Sequence, residues 1–109
     1  MYRFKVGEKE QILHKGLASL HIEEATFSGA LYLTSERLVF VGHMLGGNAS
    51  TKEVSVPLGQ IASVKGGRTA LVIPNVVEIV TNTNDRLRLI LRNRNEWLTA
   101  IARQQAGVE

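Results

Sequence analysis

The sequence predicts a mostly β domain of about seven short strands followed by a single C-terminal α-helix, and three stretches carry that prediction. Residues Gly29 to His43 hold two apolar, strand-forming runs around the polar break Thr34-Ser35-Glu36-Arg37, the pattern of a β-hairpin. With Ser35-Glu36 as the loop, Leu33 faces Leu38 and Leu31 faces Phe40, so one face is three leucines and a phenylalanine. The other face, Ala30, Tyr32, Val39 and Val41, is also apolar, which predicts a strand pair partly covered on both sides. Further on, a three-residue loop Asn82-Thr83-Asn84 sets Ile79 opposite Leu87, Val77 opposite Leu89 and Glu78 opposite Arg88, with Asn84 in the left-handed region. At Asn93 the period changes. Asn93 and Glu96 read as a capping box, and Trp97 and Ile101 lie one turn apart on a helix running to Gly107. Burying those two side chains is worth about 2 kcal/mol each.

The remaining elements follow in order. Met1 to Val6 alternates as a short edge strand, Gly7 to Glu10 is a polar turn, and Ile12 to Ile22 is a strand with Gly16 as a bend or bulge. Glu23 to Ser28 reads as a polar connection, and Met44 to Thr51, with paired glycines, as a surface loop. Lys52 to Leu58 alternates with Val54, Val56 and Leu58 on one side, and Pro57 marks its end or an edge position. Ile61 to Lys65 reads as a strand closed by Gly66-Gly67-Arg68, and Leu71 to Ile73 as one running into a turn at Pro74-Asn75.

Composition bounds the function classes. The 109 residues make one domain with a core over about residues 7–105, and 44% apolar content supplies that core. No apolar run reaches the roughly 18 residues a transmembrane helix needs, and no signal peptide precedes the domain, so the expected location is cytoplasmic. With no cysteine, disulfides, thiol nucleophiles and Cys-zinc sites are excluded. A net charge of +3 permits an anionic partner without requiring one.

Six or seven short strands and one C-terminal amphipathic helix resemble the pleckstrin-homology-like architecture, a partly open barrel of two packed antiparallel sheets capped by the helix. Gly7-Glu8, the block from Gly29-Ala-Leu-Tyr-Leu-Thr to Arg37-Leu-Val-Phe, and Val56-Pro-Leu-Gly-Gln-Ile-Ala-Ser-Val64 narrow this: they resemble a GRAM domain. Leu71 to Asn75, Val77-Glu78-Ile79 and Asn93 to Trp97 resemble that family's last strands and helix start, so the similarity covers roughly Gly7 to Arg103. The resemblance implies a non-catalytic module that docks to phosphoinositides, other anionic lipids or a protein partner, usually within a larger protein but here expected to stand alone. It also implies peripheral contact with the inner face of a membrane.

Chemistry-bearing constellations are sparse. Asp85 is the lone aspartate, Glu23 and Glu24 point apart if extended, the serines form no nucleophile elbow, and His14, His21 and His43 lack metal spacing. No catalytic group, metal or cofactor is called for. Lys65-Gly66-Gly67-Arg68 reads as a glycine turn in preference to an anion-binding loop. Two basic groupings remain. Arg86, Arg88 and Arg92 share one face of the last strand, with Arg94 just beyond, a stripe able to grip phosphate or to keep a sheet edge solvated, with Glu78 neutralising part of it. If the fold is pleckstrin-like, Lys15 and His14, His43 and Lys52, and Arg68 approach one barrel mouth, and Met44 and Leu45 at the neighbouring loop are candidates for membrane contact. The competing function is a protein-interaction or homo-oligomeric module using Tyr32, Val39 and Val41 on the second hairpin face and exposed strand edges. Nucleic acid ranks below both, since the arginines are not interleaved with aromatics.

Overall fold

A computed structural model describes residues 4–22, 25–44, 51–69 and 73–106. Seven strands and one helix follow in order: β1 (Ile12–Ile22), β2 (Ala25–Thr34), β3 (Arg37–Met44), β4 (Thr51–Pro57), a single 3-10 turn (Leu58–Gln60), β5 (Ile61–Thr69), β6 (Ile73–Thr81), β7 (Arg86–Leu91) and α1 (Arg94–Ala106). All pairings are antiparallel, in the spatial order β4-β3-β2-β1-β7-β6-β5. The sheet curls into a half-barrel, and β1 is the strand its two halves share: Leu20 pairs with Phe27 of β2 on one side and Leu89 of β7 on the other. This is the pleckstrin-homology-like arrangement.

The concave side holds the core. Leu31, Leu33, Leu38 and Phe40 are buried there, in the predicted register of Leu31 with Phe40 and Leu33 with Leu38. Val77 opposite Leu89, Ile79 opposite Leu87 and Glu78 opposite Arg88 also pair as expected, and Asn84 has φ 67°. On α1, Trp97 and Ile101 are buried against this core.

Glycine spacing lets the strands approach. In the pair Gly29–Gly42, a Cβ on Gly42 would stand 2.6 Å from the Ser28 carbonyl oxygen and 2.7 Å from the Phe40 ring, so β2 and β3 close over each other only without side chains there. Gly16 is neither bend nor bulge: it pairs regularly with Leu31, the irregularity falls between Ile12 and His14, and the Trp97 ring fills the space beside it at 3.5 Å.

Other expectations are corrected. Phe4 to Val6 form no strand, and Met1 to Arg3 lie outside the described residues. The Phe4 ring instead lies 4.9 Å from the Tyr32 ring on the outer side of the β2–β3 hairpin. There Ala30, Val39 and Val41 are buried within the chain, so they are not available as an exposed apolar face for association. Ala25 to Ser28 belong to β2, while Glu23, Glu24 and the loop residues 45–50 lie outside the described set. Gly66-Gly67-Arg68 is no turn: β5 runs through it to Thr69, and Pro74-Asn75 sit inside β6. The connection between these strands therefore falls at residues 70–72, outside the described set. Extended backbone there also removes the geometry an anion-wrapping loop needs. Asn93 has φ 57°, not the extended conformation of a capping box, and its carbonyl accepts the Trp97 N–H at 3.2 Å.

Candidate functional site

The block that carries the family resemblance does structural work. Glu10 is 6% exposed, and its carboxylate accepts four hydrogen bonds: from the Gly7 N–H at 2.9 Å, the Thr34 hydroxyl at 2.5 Å, and Arg37 Nε and Nη2 at 2.8 and 3.1 Å. Arg37 also donates to Ser55 Oγ and to the Lys5 carbonyl, and stands 5.1 Å above the Phe4 ring. The fork tethers the N-terminal segment, the β2–β3 turn and β4 together. The hydrogen bond from Arg37, helped by Gly7 and Thr34, outweighs burial and lowers the Glu10 pKa from 4.5 to about 2. Sequence reasoning missed this pair because the partners lie 27 positions apart and each reads as an ordinary turn or strand residue.

A cavity of about 590 Å³ opens on the concave side between β4 and the β6–β7 turn. Register positions Lys52, Val54 and Val56 supply one wall, with Ile22 of β1 and Gln60 beside them. Thr81, Thr83, Asn84, Asp85, Arg86 and Leu87 supply the other. The turn is held rigidly. Asn84 N–H donates to the Thr81 carbonyl, Asp85 N–H to Thr81 Oγ1 and Thr83 Oγ1 to Asp85 Oδ2, while Asn82 N–H donates to the Gln60 carbonyl at 2.8 Å. The cavity thus has an apolar floor and a polar rim with Lys52 on the β4 lip, while Arg86 on the turn side alternates with the buried Leu87 and turns to the outer face with Glu78 and Arg88. Arg86 is open to solvent and 3.8 Å from Glu78, and Lys52 Nζ is 6.0 Å from the Phe27 ring centroid. Asp85 is the one acidic residue among the described lining residues.

The structure divides the basic residues differently from the sequence. Lys52 and Arg86, one from each expected grouping, line the same cavity. Lys15 does not join them: it pairs with Tyr32, hence with Val39, four residues along β3 from His43, roughly 13 Å in extended chain. Lys15 and His43 lie on the outer face, whereas Lys52, opposite Gly42, is on the inner one. Arg68 lies in β5 at the other edge of the sheet from β4, and its side chain is outside the description. His14 packs its ring edge-on against Trp97 at 4.3 Å, a core-margin position. Arg86, Arg88 and Arg92 are all exposed, with Arg88 between His21 and Glu78, while the Arg94 guanidinium packs against Gly66. Met44 ends β3 half out of the structure, 40% exposed, and Leu45 lies outside the described residues. Among the described residues no three His, Asp or Glu side chains are grouped to hold a metal ion, and no helix is long and apolar enough to cross a membrane.

No curated protein matches the chain. A solved structure described as the C-terminal domain of an unknown protein from Leishmania infantum is similar in fold, with a TM-score of 0.74 at 20% identity, covering 89% of this chain and 85% of that one. The family model for the GRAM domain matches residues 1–96, which take in the Glu10–Thr34–Arg37 tether, all seven strands and the start of α1. By that match, and by a half-barrel capped with a C-terminal helix, the chain belongs to the GRAM-domain family.

Proposed function

We propose that this protein is a non-catalytic binding module whose ligand is an anionic headgroup at a membrane surface, taken up in the cavity between β4 and the β6–β7 turn. The observation that carries the reading is the placement of Lys52, an inner-face cation, on the lip of a cavity whose hydroxyl and amide rim is held by its own hydrogen bonds. A phosphate at this lip gains a charge-assisted hydrogen bond from Lys52, Thr83 and Asn84 provide neutral polar groups at the same rim, and Arg86, beside Glu78 on the outer face, adds longer-range attraction. Asp85 sets a limit, because its carboxylate repels an anion seated deep against the turn, so the favoured position is at the mouth beside Lys52. Met44 ends β3 beside this region, its exposed thioether suited to shallow contact with lipid. His43 and Lys15 lie on the outer face, outside the described lining, and Lys15 belongs to the reading only as general positive field.

Cosedimentation with vesicles tests it. The protein is expected to pellet with phosphatidylcholine vesicles containing a phosphoinositide and to stay in solution with phosphatidylcholine alone. Lys52→Glu should reduce binding about tenfold and Arg86→Glu by less, about threefold, while Lys15→Glu changes it by less than about twofold. Equal retention on both vesicle types, or equal losses for all three variants, overturns the assignment.

A further inference from the structure

The geometry points to a second docking surface on this protein, the exposed edge of β1 from Ile12 to Leu17, which takes an extended acidic-apolar segment of a partner protein as an added strand. β1 pairs with β2 almost throughout, from Ile12 to Ile22, but with β7 only from Ala18 to His21. The last β7 partner, Leu91, stands opposite Ala18; the chain then leaves the sheet through Arg92 and Asn93 into α1. Along Ile12 to Leu17 the backbone groups that point away from β2 therefore face no strand among the described residues. Such a row is a template for another chain's main-chain hydrogen bonds, and sheet proteins commonly cover or charge it to prevent that.

Here the edge is not covered. Five large hydrophobic residues are exposed among the described residues, and three of them, Ile12, Leu13 and Leu17, lie on this stretch. Leu17 is 78% exposed, in mid-strand, beside a buried Ala18. Trp97 supports the strand from the core side, against Gly16 and His14, so the edge is held in place without being hidden.

Charge selects the occupant. Lys15 projects between Leu13 and Leu17 on the alternating face, and Arg92 stands where β1 loses its neighbour; both are exposed, and neither forms an ion pair among the described residues. A strand laid here meets apolar contacts interrupted by two cations. Alternating aliphatic and acidic residues complement both. A second copy of this chain does not, because self-pairing over this short stretch brings two Lys15 and two Arg92 side chains to one seam. The surface is separate from the cavity: Lys15 lies on the outer face and near the opposite end of the strands from Lys52.

Hydrogen exchange on the whole chain, with a short synthetic peptide alternating valine and glutamate, is the test. Added peptide should slow amide exchange within residues 12–17 and leave the β4 and β5 edges unchanged. By fluorescence anisotropy, the double variant Lys15→Glu, Arg92→Glu should bind the peptide about tenfold more weakly and bind its valine-lysine counterpart more tightly than the parent does. Both positions are exposed, so an unchanged melting temperature shows that the variant is folded. Protection confined to the β4 or β5 edge, equal binding of the two peptides by the parent, or no protection at the solubility limit of the peptide overturns the proposal. So does a concentration-dependent dimer that protects the same residues without peptide.

Discussion

At Glu10 a carboxylate has left water and received four donors in return, two from one guanidinium. Its folded pKa of about 2 lies below the unfolded value of 4.5, so the linked stability is fully present above pH 4.5 and is lost as the pH falls toward 2. The difference corresponds to about 3 kcal/mol. Urea denaturation at pH 7 and at pH 2.5 should show most of that loss in the parent. Glu10→Gln should be less stable at pH 7 by about 3 kcal/mol, since it leaves Arg37 without its counter-charge, and should show a much smaller acid effect. A parent stability that is flat across this range would show that the fork is not formed in solution. The alternation of Met1 to Val6 suggested a strand, yet Phe4 and the Lys5 carbonyl are engaged by Tyr32 and Arg37. No local pattern encodes this, because the holding residues lie about thirty positions later in the chain.

The elements show where local patterning suffices. The β6–β7 register was legible because only one loop length matches apolar with apolar and Glu78 with Arg88; a slip of one residue sets Ile79 against an arginine. The β5–β6 hairpin was not. Gly66-Gly67 and Pro74-Asn75 have the composition of turns, yet they lie inside strands: Gly66 because the Arg94 side chain occupies the space over it, and Pro74 at the start of β6. The cavity was hidden for a related reason, since Lys52 and Arg86 lie on strands four places apart in the sheet order and border one cavity only because the sheet curls. The Gly29–Gly42 crossing gives a measurable consequence. Gly29→Ala drives a methyl into the Val41 carbonyl, a backbone atom that cannot step aside, and should cost at least about 2 kcal/mol by thermal denaturation. Gly7→Ala, whose new methyl meets Glu10 at an ordinary 3.6 Å, should cost less than about 1 kcal/mol. Equal effects would mean that β2 and β3 do not approach as described.

On the scale of the whole molecule, the two halves of the sheet share β1 and a single core, so they should not unfold separately. Leu20 is fully buried and pairs with Phe27 in one half and with Leu89 in the other, while Trp97 reaches β1 from the helix that contacts β5 and β6. Trp97 is the one tryptophan, and its fluorescence therefore reports on the joint between β1 and α1. Far-ultraviolet circular dichroism reports on all seven strands. In urea the two signals should trace one transition with the same midpoint and slope, as a single cooperative unit requires. Leu20→Ala should lower stability by about 3 kcal/mol, in the range for a buried leucine, and should shift both curves together with no change of slope. If the halves were independent, the variant would separate the two signals, with the tryptophan transition moving and part of the circular-dichroism change remaining at the parent's midpoint. Coincident curves in both proteins would establish that the cavity lined by Lys52 and Arg86 rests on one folding unit, its two walls being formed or lost together.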